Sequence, residues 1–285
     1  MVSDGDAKVH ACLLKLKPYG DVLVKKEECL NHVSKRMGTA LRNIRTDLSK
    51  KGQRIGGIGF GKLTDAKITK LTQYYGRAIR ASKGLTVDEM RCNIQGTLFH
   101  CLSTDREPQH TKCPKGEGSW CFYNRALAKS QTPDSHLKMV GTALSQDVGK
   151  LIYPVYLRLT ETHLLEKCLQ GLNQNRNESL HSCIWCRLPK ERFFTLFRLN
   201  HGVDQSVIQF NGGMNSIKQQ VDSLGWGAGY FTNIMRSKKD HARVFASAHK
   251  QTIESIRRVN ARKAASLNVE RLAGQKELQY GAGIA

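Results

Sequence analysis

Apolar residues recur at steps of three and four along most of this chain. Leu30, Val33, Met37, Leu41, Ile44 and Leu48 form one such stripe. It predicts a long amphipathic helix from residue 30, with Lys35, Arg36, Arg42 and Arg45 largely off the apolar face. Ile68, Leu71, Tyr75 and Ile79 form a second stripe, opened by a Thr64-Asp65 cap signal. Further helices are predicted at 8–17, 86–98, 136–151 and 161–171. A segment at 191–221 reads as helical in two pieces, broken near Gly202 and Gly212-Gly213. Val22-Leu23-Val24 reads as a short strand, Gly52 to Gly61 as a loop, and 99–124 as irregular. From Arg236 the pattern is basic and amphipathic. No internal repeat is evident. Helix dominates, and only minor strand content is expected.

Composition adds a charge to this picture. The 285 residues are 40% hydrophobic, which suits a globular chain with a proper core. Against 24 acidic residues stand 45 basic ones, a net charge of +21. Such an excess points to a polyanionic partner, with nucleic acid first. An anionic membrane surface is the rival, but no long apolar run or lipid-anchor motif supports it. Charges run through residues 1–25, so no signal peptide is predicted. Nine cysteines without a secretion signal suggest reduced thiols or metal ligation inside the cell. The nucleus follows on partner grounds alone.

Two acidic sites carry candidate chemistry. In Asn173-Gln-Asn-Arg-Asn-Glu178-Ser179-Leu180, a carboxylate sits among amides ahead of Leu180, Ile184 and Leu188, with Asn177 as the expected N-cap. A glutamate in a first helical turn can hold a divalent cation, but hard cations need more than one oxygen donor. The partner expected for Glu178 lies in Val2-Ser3-Asp4-Gly5-Asp6, where an apolar residue runs into an acidic turn. Asp4 and Asp6 are the two candidates there.

Soft ligands cluster elsewhere. Cys101, His110, Cys113 and Cys121 fall in one irregular stretch with Pro108, Pro114, Gly116 and Gly118, and His100 is an alternative fourth ligand. A loop with so little to bury often needs a metal to order it, and Zn²⁺ suits these donors. An ordinary loop with Trp120 and Phe122 tucked into the core is the other reading. Cys29 and His32, at i and i+3, share a helical face and form either half a zinc site or a packed thiol beside a hydrogen-bonding imidazole. Cys183 and Cys186 make a C-x-x-C that reads better as core. Gly56 to Lys62 nearly spells a P-loop, but Leu63 stands where Ser or Thr should bind Mg²⁺, and no buried strand precedes it. Lys35, Arg36, Arg42, Arg45, Lys50 and Lys51 are the candidate contacts to a DNA backbone.

The order Ser3-Asp4-Gly5-Asp6, then Cys29-x-x-His32, then a long insert, then Asn177-Glu178-Ser179 resembles the transposases of Mutator-like elements. Cys29 to Leu41, Ser103 to Cys121 and Asn173 to Trp185 resemble the same family. The resemblance implies an α/β, RNase H-like fold with an Asp-Asp-Glu triad for two-metal phosphoryl transfer on DNA. Asp4 would be its second aspartate and Glu178 its glutamate, holding Mg²⁺ or Mn²⁺. The first aspartate would lie on an earlier strand, so the chain reads as an incomplete core, inactive in DNA transposition by itself. The implied segments are a core remnant at 1–28, a mostly helical insertion at 29–172, returning core helices at 173–221, and a basic helical tail at 222–285. DNA is the implied partner, self-association is left open, and no membrane is involved. A non-enzymatic, zinc-ordered nucleic-acid-binding protein from the same stock is the alternative.

Overall fold

The computed structural model describes residues 1–3, 7–227, 229–250, 252–259, 261–262 and 265. The chain divides into two compact units, Met1–Arg176 and Asn177–Ala285.

The first unit opens with strand β1 (Val2–Ser3) and helix α1 (Ala7–Leu16). Strand β2 (Glu27–Glu28) pairs in parallel with β1, Val2 opposite Glu27 and Ser3 opposite Glu28. The strand expected at Val22–Val24 does not form; pairing begins at Glu27, and Val22 and Leu23 stay exposed. Long helices follow: α2 (Leu30–Lys50), α3 (Asp65–Ala81) and α4 (Val87–Leu102). After short α5 (Phe122–Ala128) and α6 (His136–Met139) come α7 (Gln146–Leu159) and α8 (Thr162–Glu166). The single helix expected at 136–151 is thus two, separated by a stretch where Leu144 bridges to Gly61.

The apolar stripes meet as their spacing predicts. Leu30, Val33, Met37 and Leu41 of α2 pack with Ile68, Leu71 and Ile79 of α3, Met90, Ile94 and Leu98 of α4, and Ile152 and Tyr156 of α7. Small residues bring α2 and α3 close together. A Cβ on Gly38 would stand 2.8 Å from the Thr72 hydroxyl, and one on Gly76 2.5 Å from that of Ser34. Thr64 caps α3 by accepting from the Lys67 amide, and Thr86 with Glu89 closes a capping box on α4. Buried Tyr75 donates its hydroxyl to the Leu159 carbonyl at 2.8 Å.

After α8 the chain returns to the two strands. The Glu28 amide donates to Lys167 O, the Leu30 amide to Leu172 O, and the Gln174 side-chain amide to Val2 O at 3.0 Å. Helix α9 (Asn175–Arg187) starts there, two residues before the expected cap at Asn177, because Asn173 Oδ1 already takes the Asn175 amide.

In the second unit, α10 (Leu196–Ser223) and α11 (Tyr230–Lys250) pair. Gly202 does not break α10, whereas Gly213 does, at φ 71°. The Asp240 carboxylate of α11 accepts the amides of Met214 and Asn215 that the break frees. The cysteines expected in a core are not buried: Cys186 is exposed and Cys183 only half-buried.

Strand content among the described residues is therefore two dipeptides in one small sheet, and helix dominates. No described helix is long and apolar enough to cross a membrane.

Candidate metal centre

Four potential metal ligands converge in the first unit. One ligand atom from each of His100, His110, Cys113 and Cys121 lies within 4.8 Å of all the others. His110 Nδ1 is 3.4 Å from Cys121 Sγ and 3.7 Å from Cys113 Sγ, and His100 Nδ1 is 3.8 Å from Cys113 Sγ. A tetrahedral ion about 2.3 Å from sulfur and about 2.0 Å from nitrogen would set its ligands about 3.3–3.8 Å apart. The donor set and its spacing fit such an ion.

Local chemistry builds the cluster. α4 supplies His100 from its last turn, and an irregular segment folds back over that helix. Its backbone rests on Gly96, where a Cβ would meet Lys112 O at 2.4 Å. The Asn124 amide ties the segment together by donating to the carbonyls of His110, Cys113 and Pro114. Ser119 Oγ donates to Pro114 O and accepts the Cys121 amide. Rings fill the remaining space: His100 meets Trp120 edge-on at 5.0 Å, and His110 stacks on Tyr123 at 4.4 Å.

The two sulfurs behave as a pair. The Cys113 thiol is pushed up by its hydrogen bond to Cys121 and by burial, while Cys121 is held down, first by Cys113 and then by His100 and His110.

Of the four ligands first expected, the structure places His110, Cys113 and Cys121 together. His100 stands where Cys101 was expected. Successive helical residues point about 100° apart, and α4 reaches Leu102, so His100 and Cys101 diverge. Cys101 sits on the buried stripe with Met90, Ile94 and Leu98, its Sγ 3.3 Å from Thr142 Oγ1. Burial raises its thiol to about 11. The 4-4-3 spacing of that stripe was legible in the sequence and assigns Cys101 to the core.

Two further residues escaped the sequence reading. His110 Nε2 is 2.8 Å from His136 Nε2 and 3.0 Å from Ser103 Oγ, and His136 Nδ1 is 2.6 Å from Asp105 Oδ1. One proton arrangement links His110, His136 and Asp105. With Nδ1 of His110 toward the sulfurs, its Nε2–H donates to His136, whose Nδ1–H donates to Asp105. Asp105 also accepts the His136 amide and the Ser135 hydroxyl. That amide, the His136 ring and the Ser135 hydroxyl, in that order, hold its carboxyl down to about 2. Carboxylate–imidazole chains of this kind orient a ligating histidine and raise its basicity. Asp105→Asn is therefore expected to weaken metal binding about 10–100-fold, measured by competition with a chromophoric chelator. An unchanged Kd would leave Asp105 with the role of capping α6 alone.

The other candidates lie elsewhere. Asp4 and Asp6 fall outside the described residues. Glu178 is exposed in the first turn of α9, in the second unit. Cys29 is buried at the start of α2, its amide bonded to Ser3 O, and His32 follows one turn later. Among the described residues these two join no third ligand. The buried atoms Ser3 Oγ, Glu27 Oε2 and His32 Nδ1 have no hydrogen-bond partner among the described residues.

The basic candidates separate into two sets. Arg36 pairs with buried Glu28 at 2.7 Å, and Arg45 with Asp65 at 2.9 Å, so both serve the fold. Lys35, Lys50 and Lys51 are exposed with no ion pair among the described residues, and exposed Arg42 lies 4.0 Å from Asp65.

These features define a helical domain with a His/Cys cluster that could hold a metal ion and a basic surface. Residues 1–121, which include all four ligands, match the family model for Mutator-like transposases. Over that stretch the chain is similar to Mutator-like transposases. No curated protein and no solved structure matches the chain.

Proposed function

We propose that this chain is a transposase-derived, nuclear DNA-binding protein of RNase H-like descent, with a structural Zn²⁺ in its helical domain. The family match over residues 1–121 carries the reading. The net charge of +21 supports duplex DNA as the partner. The return of Gln174 to Val2 supports RNase H-like descent, because it brings the segment ahead of α9 back beside β1. Two thiols and two imidazoles in tetrahedral reach favour zinc over hard cations.

Asp4 and Glu178, with Asp6 as the alternative to Asp4, are the residues that would hold Mg²⁺ or Mn²⁺. Such ions stabilise the attacking and leaving oxygens of a phosphodiester. A triad needs three carboxylates, and the motif positions of this polypeptide supply two. The 285-residue chain is therefore expected to bind supercoiled plasmid without nicking it in Mg²⁺ or Mn²⁺. Metal-dependent nicking that Glu178→Gln abolishes would instead show a working phosphoryl-transfer site.

A non-enzymatic, zinc-ordered nucleic-acid-binding protein is the second reading. The observation favouring it is that the His/Cys cluster is assembled from a single short segment of the first unit. In that case Asp4→Asn leaves DNA binding untouched while chelation disrupts it.

A further inference from the structure

The loop between α2 and α3 holds two apolar side chains out in solvent. Ile58 is fully exposed (105%) and Phe60 nearly so (73%). Single exposed apolar side chains are ordinary on a protein surface; two held out together on one loop tip are a candidate interaction surface. The base of the loop holds them there. Ile55 and Leu63 at the base of the loop are buried, and the Leu63 amide donates to Ile55 O at 2.8 Å. Gly61 accepts the Ser145 amide at 3.0 Å and bridges to Leu144. Lys62 Nζ closes the loop onto Arg54 O at 3.1 Å. Gly57, Gly59 and Gly61 take φ of 107°, 140° and 74°, values that side chains rarely tolerate, so this path needs glycine at those positions.

The surroundings of the tip select the partner. Lys50, Lys51, Arg54 and Lys62 flank it, and the nearest carboxylate along the chain after them, Asp65, is taken up by Arg45. Ser49, Lys50 and Arg54 line a concavity of about 440 Å³ directly beside the tip, and Arg45 on its wall is already paired with Asp65. Cations in a concave wall next to an apolar point match a phosphate backbone beside a base stack. Proteins that kink duplex DNA insert such apolar wedges between base pairs from the minor groove while cations hold the flanking phosphates.

We infer that Ile58 and Phe60 form a wedge that enters a base-pair step of duplex DNA, with Lys50, Arg54 and Lys62 on the adjoining phosphates. This rests on the DNA-binding reading above and adds how the duplex is deformed. Pyrimidine–purine steps, the easiest to unstack, are the favoured entry points.

The full chain is titrated against a short duplex carrying a central TA step, with dyes at its ends to report bending and 2-aminopurine at the step to report unstacking. Wild type brings the dyes together and raises the 2-aminopurine signal. Ile58→Ala and Phe60→Ala each lose both responses and bind about tenfold more weakly. Their salt dependence stays as in wild type, because neither side chain is charged. Lys50→Ala and Arg54→Ala instead lower the salt slope by about one each. Both apolar residues are exposed, so their truncation leaves the fold intact, which the melting temperature verifies. Equal bending and affinity in wild type and the two apolar variants overturn the wedge while leaving DNA binding standing. A wild-type chain that binds no duplex even at low salt overturns both. Binding to vesicles of anionic phospholipid that Phe60→Ala abolishes, with DNA affinity unchanged, makes the loop a membrane contact and overturns the inference.

Discussion

Chelation of the purified chain is expected to release one Zn²⁺ per molecule and to loosen residues 103–121 without unfolding the helices around them. The segment contains no helix or strand, and its order comes from the ligands, Asn124 and Ser119. By contrast, α2, α3, α4 and α7 bury Met37, Ile79, Ile94 and Tyr156 against one another with no ion involved. Structural zinc contributes about 10–16 kcal/mol in small fingers. Removing one of four ligands by Cys121→Ser should forfeit about 3 kcal/mol of that, roughly a hundredfold in zinc affinity. Protons compete with the metal for both sulfurs, so affinity falls as pH falls. Hydrogen exchange across 103–121 and the fluorescence of half-exposed Trp120 report the change. His100→Ala should behave like Cys121→Ser, whereas Cys101→Ser should keep full zinc affinity. Zinc loss in Cys101→Ser with retention in His100→Ala would reverse the ligand assignment.

The second large effect is on DNA affinity as salt rises. Six phosphate contacts from Lys35, Arg42, Lys50, Lys51, Arg54 and Lys62 would give log K a slope of about −5 against log salt. Affinity for a random duplex then falls about a thousandfold between 50 and 200 mM salt, which fluorescence anisotropy measures directly. Arg36 and Arg45 stand apart from this set. Arg36 is the ion-pair partner of Glu28, whose side chain is only 9% exposed. Arg36→Ala should cost about 1–3 kcal/mol of stability, less than a fully buried pair because the guanidinium is partly solvated. Its DNA salt slope should stay unchanged. A slope near zero for wild type would remove nucleic acid as the partner of this charge.

Much of the first unit follows from local pattern. The stripe from Leu30 to Leu48 and the one from Ile68 to Ile79 specify α2 and α3 and their buried faces, because a 3.6-residue period is readable without knowing the partner. The Thr64 cap was legible for the same local reason. The His/Cys cluster was legible in outline, since soft ligands gather there among prolines and glycines.

What sequence could not supply was phase and distance. Whether His100 or Cys101 faces the loop depends on how far α4 runs and which side the bundle buries. Asp105 and His136 are 31 residues apart, and only folding brings them behind His110. Arg36 and Arg45 looked like surface charge until Glu28 and Asp65 appeared beside them. Periodicity and composition determined the helices, the basic character and the ligand types, because each depends on neighbours along the chain. The ligand set, the hydrogen bonds behind it and the division of charges between fold and surface were decided by tertiary packing, because each depends on which distant residues the core brings into contact.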